Sequence, residues 1–177
     1  MSAIPIKAVS LAFAYDAPED RLSLFAADGA GHGVHVALTR RLTERLTNGL
    51  ARLLERSNAI ASQAPAALRD DIILLEHQDA LFGRGGPALT EASVAADGPA
   101  PALPAARLVG AVDVTLTPAT FEVSLRDGAA DLVGLSLDRL QVHRLVEVLS
   151  RRADAAGWNI ALDAAWLEPG QTEIVFN

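Results

Sequence analysis

From Val9 onward apolar residues alternate with small or polar ones: Val9, Leu11, Phe13 and Tyr15 are separated by Ser10, Ala12 and Ala14. This period of two is that of a half-buried strand. The stretch Asp16 to Asp20, with Pro18 at its centre, is turn chemistry, and Leu22, Leu24 and Ala26 resume the alternation. Asp28-Gly29 predicts a tight hairpin, since glycine accepts the positive φ of a primed turn. Val34, Val36 and Leu38 give a third strand. Thr39 then stands as an N-cap before Leu42, Leu46, Leu50, Leu53 and Leu54, which recur at helical spacing.

The same order returns at a constant offset of 99 residues, where Ala26 to Leu50 matches Leu125 to Leu149 without a gap. Val112, Val114 and Leu116 lead into a turn at Thr117 to Thr120. Phe121, Val123 and Leu125 precede Asp127-Gly128, and Val133, Leu135 and Leu137 follow it. Asp138 takes the place of Thr39, and a helix is expected on Leu140, Leu145, Leu149 and Ala153, widened by Val142, Val146 and Val148 and stopped at Gly157. The expected fold is α+β: tandem duplicated β-β-β-α units forming one pseudo-twofold domain, with antiparallel sheet or sheets and helices packed on them. One such unit is marginal alone, so two bury their open faces together. Six strands in one sheet, or two packed three-stranded sheets, satisfy the pattern equally.

The expected organisation is residues 1–82 as the first repeat plus one extra element, 83–106 as a flexible linker, and 107–177 as the second repeat plus a C-terminal strand. In the linker, Gly, Pro and Ala supply 16 of 24 residues, too little to bury for an ordered core. Residues 65–82 read as a helix opened by Pro65, with Leu68, Ile72, Leu75 and Phe82 as its apolar positions, although Ile72 to Leu75 alone also suits a buried strand. Gln171 to Phe176 reads as a closing strand.

With half its 177 residues apolar, the chain can bury a substantial core, and it lacks an apolar run long enough to span a membrane. With no export pattern visible, a cytoplasmic setting is expected. A single Lys against 14 Arg suggests a GC-rich bacterial coding bias. The absence of Cys excludes disulfides, thiolate nucleophiles and iron–sulfur clusters. A net charge of -7 argues against a nucleic-acid or anionic-membrane partner. Yet Arg40–Arg56 and Arg139–Arg152 each sum to +3, leaving -13 elsewhere, so each predicted helix carries a basic face.

Local chemistry is sparse. Gly29 to His35 contains Gly-x-Gly-x-Gly, but a phosphate loop needs a helix directly after it and here a strand follows. His32 and His35, three apart on a strand, point to opposite faces and do not form a metal pair. His77 and His143 are expected in surface or satisfied structural roles, and the carboxylate pairs Glu19/Asp20 and Asp70/Asp71 as caps of exposed amides. No nucleophile elbow, Walker loop, zinc helix or dinucleotide fingerprint occurs, so no catalytic, cofactor or metal residue is assigned.

The expectation for function is a non-catalytic protein-interaction or assembly module, with a protein partner or homo-oligomer. The candidate contact residues are Arg41, Arg45 and Arg52 on the first helix, Arg144 and Arg151 on the second, and Trp166, read as an exposed aromatic anchor. Two alternatives stand beside it. One is a small-molecule or enzymatic pocket at the seam between repeats, the other polyanion binding through the Arg faces.

Overall fold

A computed structural model describes residues 5–82, 105–128 and 130–167. The order is β1 (Ile6–Lys7), β2 (Ser10–Asp16), β3 (Arg21–Ala27), β4 (Gly33–Thr39), α1 (Arg40–Ser57), α2 (Ala59–Gln63), α3 (Ala66–Phe82), β5 (Arg107–Leu108), β6 (Ala111–Leu116), β7 (Phe121–Asp127), β8 (Ala130–Leu137) and α4 (Arg139–Ala155), followed by a 3-10 turn at Ala165–Leu167. The chain is thus α+β, with two mixed four-stranded sheets and four helices. The linker expected over 83–106, but for its last two residues, and the strand expected at Gln171 to Phe176 lie outside the described residues.

The antiparallel part of each sheet follows the alternation. β2 pairs with β3 and β3 with β4, while β6 pairs with β7 and β7 with β8, all antiparallel. The sheets are mixed, rather than purely antiparallel, because each acquires a fourth strand from the other half of the chain. β1 lies parallel to β8, with Ile6 opposite Val133, and β5 lies parallel to β4, with Val36 opposite Arg107. The orders are β1-β8-β7-β6 and β2-β3-β4-β5. Neither arrangement weighed from sequence included these strands, because two residues carry no readable period.

The lead-in strands join the two sheets. Ala8 N–H donates to Gly134 O on β8, and the next amide, Val9 N–H, donates to Ala27 O on β3. Val109 and Gly110 do the same toward Ala37 O on β4 and Arg126 O on β7. Ser10 is itself registered against Ala27, and Ala111 against Arg126. Two residues therefore oppose one at each crossing, the mark of a β-bulge, which bends the strand. α1 touches both β4 and β6, and α4 touches both β8 and β2, so each helix bridges the place where the two sheets part.

Both helix starts are capped as their sequences suggest. Thr39 Oγ1 accepts from Leu42 N–H at 3.2 Å. Asp138 and Gln141 form a reciprocal capping box, both bonds 2.8 Å. The hairpins differ. Gly128 takes the positive φ of 58° expected in the second, but in the first the positive φ of 87° falls on Gly31, not Gly29. There the Asp28 carboxylate accepts from Ala30 and His32 amides, both at 2.9 Å, and opens the loop to residues 28–32.

α1 and α4 pack together over a core from both sheets that includes Leu22, Val36, Leu38, Leu125 and Val133. α3 packs on α4 through Ile73, Leu74, His77 and Ala80. Its sequence-expected apolar positions face mainly the other way: Leu68, Leu75 and Phe82 are exposed, and Ile72 is half-buried. The helix carries two apolar stripes, and the neighbours α4 and Trp166 select the one that contains the histidine. Leu50 and Leu149, 99 residues apart, are both fully enclosed on the packed helices. Leu50→Ala and Leu149→Ala are each expected to cost about 2–5 kcal/mol of unfolding free energy in urea titrations. A loss below about 1 kcal/mol for either would show that its site is not part of the core.

Candidate functional site

The groups with most chemical potential lie inside the helical layer. His77 on α3 and His143 on α4 are buried, with their Nδ1 atoms 3.2 Å apart. His77 Nε2 is 3.2 Å from Glu147 Oε2. His143 Nε2 stands 3.4 Å from Glu76 Oε2 but makes no aligned hydrogen bond. The four groups form a relay within the helical layer, in the order Glu147, His77, His143, Glu76.

Arg139, the first residue of α4, ties this relay to the rest of the layer. Its guanidinium forks onto Glu76, donates to Ser57 Oγ at 2.6 Å, and donates to Leu54 O at 2.6 Å, supplying a cation to carbonyls at the end of α1. Asn58 Nδ2 adds a 2.8 Å bond to Glu76. Burial pushes the Glu76 carboxyl up, but His143, Arg139 and Asn58 together outweigh it and hold the group far below the ordinary carboxylate range. The bond from His77, then Arg151, holds Glu147 low as well. Burial pushes His143 below the usual imidazole value against the pull of Glu76.

Sequence reasoning treated these histidines singly and missed the pairing, since 66 residues separate them and no local motif marks them. Trp166 is not the exposed anchor expected: only 2 % of it is accessible. Its indole lies 5.1 Å from the His77 ring and 5.8 Å from that of His143, and its N–H donates to Glu55 Oε1 at 2.8 Å. It seals the relay, and neither imidazole lines any described cavity. Among the described residues no group of three or more His, Asp or Glu is arranged to hold a metal.

Three of the five candidate arginines have partners within the chain. Arg52 pairs with Asp163, Arg144 Nε donates to Ala80 O at 2.9 Å, and Arg151 pairs with Glu147 at 2.5 Å. Arg41 and Arg45 are exposed and form no ion pair among the described residues.

Arg45 marks one of the accessible clefts among the described residues. It stands at the rim of a cleft of about 350 Å³ between α1 and β6, lined by Leu42, Leu46, Gly49 and Leu53 from the helix and by Val112 and Val114 from the strand. β6 is the last strand of its sheet, and no strand pairs with its outer edge among the described residues. The cleft lies at the seam between the two halves, yet its lining offers no imidazole, hydroxyl or carboxylate for catalysis. What it does offer is apolar surface, unpaired backbone and one cation. Comparison with protein-family models, with curated proteins and with solved structures finds no match. No helix among the described residues is long and apolar enough to cross a membrane.

The buried relay has a pH signature. Glu76 and Glu147, depressed in the folded chain, contribute stability that is complete above the unfolded carboxylate range and lost as pH falls through and below it. His143, held neutral, penalises the folded state once the unfolded imidazole protonates below about pH 6.5. Unfolding free energy is therefore expected to decline from about pH 6.5 downward and more steeply below about pH 4.5, and Glu76→Gln should flatten the steeper limb. Urea titrations across that range check this, and a flat profile between about pH 7 and about pH 5 would contradict the neutral, buried assignment of His143.

Proposed function

We propose that the chain is a tandem duplication of a β-β-β-α unit, folded as one pseudo-twofold domain, and that it acts as a non-catalytic protein-interaction module. It receives an extended segment of a partner protein as an added strand on β6. The observation that carries this reading is the outer edge of β6, unpaired among the described residues, beside an apolar cleft. An open edge presents a row of backbone donors and acceptors, and an extended peptide satisfies them while its alternate side chains enter the neighbouring groove.

Support for the duplication comes from the constant sequence offset and from the way each half supplies three antiparallel strands, a helix, and a two-residue parallel strand lent to the other half. The non-catalytic reading is supported by the enclosure of His77 and His143 and by the cleft's lack of converging polar groups. The engagement of Arg52, Arg144 and Arg151 within the chain makes a polyanion surface the weaker alternative.

Gly49 provides the test. It lies inside α1, and a Cβ built on it meets nothing within 4 Å. Gly49→Leu therefore starts its side chain in open space at the cleft wall and replaces a poor helix former by a good one. Nuclease-treated lysate of the native host is passed over wild-type and Gly49→Leu baits. A protein retained by the wild type and reduced at least about tenfold by the substitution, with slowed amide exchange over Ala111–Leu116 in the complex, is the expected result. A Gly49→Leu bait as stable as the wild type that retains the same proteins in the same amounts would overturn the reading.

A further inference from the structure

The two places where a helix bridges a sheet edge are not equally filled. On one side α4 faces β2, where Leu11 and Phe13 are buried. Trp158, just past the end of α4, sets its ring against Tyr15 of β2 edge-on, with centroids 5.9 Å apart. Its indole N–H donates to Asp20 Oδ1 at 2.6 Å, and Tyr15 O–H donates to the same oxygen at 2.7 Å. On the other side α1 faces β6. The strand registers place Val112 and Val114 where β2 has Leu11 and Phe13, and Leu116 where it has Tyr15. The repeat offset places Gly49 where α4 has Val148.

At each of three positions the α1–β6 side carries the smaller group: valine for phenylalanine, glycine for valine, leucine for tyrosine. No described residue takes the part of Trp158, and Leu116 remains 43 % exposed. Along the cleft itself valine stands for phenylalanine and glycine for valine, so the side-chain volume missing there includes one aromatic ring; Leu116, which takes the place of Tyr15, lies beyond it. Aromatic side chains bury large areas at small entropic cost, which makes them effective anchors in such a space. The rim adds a charge preference. Arg45 lines the cleft and Arg41 lies one turn earlier on α1, both without an ion-pair partner among the described residues, whereas Asp113 on β6 is paired with Arg126 at 3.1 Å.

We infer that the α1–β6 cleft binds an extended protein segment that places an aromatic side chain between α1 and β6 and a carboxylate against Arg45, supplying in trans the ring that Phe13 supplies in cis beside β2. The inference rests on the strand-addition reading and adds the chemistry of the partner. The cleft volume of about 350 Å³ lies at the low end of the ligand-site range, which suits one large side chain or two smaller ones.

A display library of random linear peptides panned against the full chain tests it. The expected outcome is enrichment of peptides that combine an aromatic residue with a nearby Asp or Glu in an alternating pattern. Their affinity should fall at least about tenfold in Gly49→Leu, and Arg45→Glu should select against the acidic residue. Peptides blocked by Gly49→Leu but lacking an aromatic residue would overturn the anchor and leave strand addition standing. Peptides insensitive to Gly49→Leu, or no enrichment, would overturn both. A wild-type dimer dispersed by Gly49→Leu would make a second copy the occupant and overturn the inference. So would amides of Ala111–Leu116 already protected from exchange in the isolated monomer, since residues of the chain itself would then hold the edge.

Discussion

The reciprocal loan of two short strands is the constraint on which the architecture depends. Ile6 and Lys7 complete the sheet of β6, β7 and β8, while Arg107 and Leu108 complete that of β2, β3 and β4. Each half therefore needs backbone partners that only the other supplies. A bulge after each loan turns the chain from one sheet into the other, and α1 and α4 pack together across the places where the sheets part. Sheets joined in this way have no independent core to retreat to, so the two halves are expected to unfold as one cooperative unit.

Within the helical layer the organising contact is Arg139 with Glu76. The guanidinium belongs to α4, the carboxylate to α3, and the same guanidinium satisfies the Leu54 carbonyl and Ser57 hydroxyl at the end of α1. Three helices are thus fixed by one planar fork, a geometry that lysine could not reproduce. Around it the imidazoles, Glu147, Trp166 and Glu55 form a network in which nearly every polar atom has a partner. In a water-poor interior such a network disfavours alternative helix packings, because any shift leaves charged groups unpaired. His143 Nε2, 3.4 Å from Glu76 Oε2, is the atom that lacks an aligned bond.

The same logic of complete and incomplete packing separates the two ends of the molecule. Beside β2, Leu11 and Phe13 are buried; beside β6, Val112, Val114 and Gly49 line an open cleft. The difference requires no change of backbone plan, only smaller side chains at a few positions and a chain that enters α2 after α1 instead of folding an indole back. Two similar helix–strand arrangements thus present different surfaces: the one beside β2 is filled, and the one beside β6 leaves an apolar cleft.

Strand parity, the Thr39 and Asp138 caps, the positive φ at Gly128 and the helical runs from Leu42 and Leu140 were legible because each depends on residues within a few positions of one another. Their physics is local: side-chain alternation, capping of free amides, and the steric freedom of glycine. The two-residue strands were illegible, because their only reason to exist is a partner about 70 to 130 residues away in the chain. α3 was legible as a helix, but which of its apolar stripes turned inward was decided by α4 and Trp166. The histidine relay, the burial of Trp166 and the open cleft all depend on how helices from distant parts of the chain meet. Sequence by itself determined the elements and their order; tertiary packing decided which strands were exchanged, which polar groups were sealed, and which helix–strand gap stayed open, because those outcomes are set by complementarity between distant surfaces and not by local backbone preference.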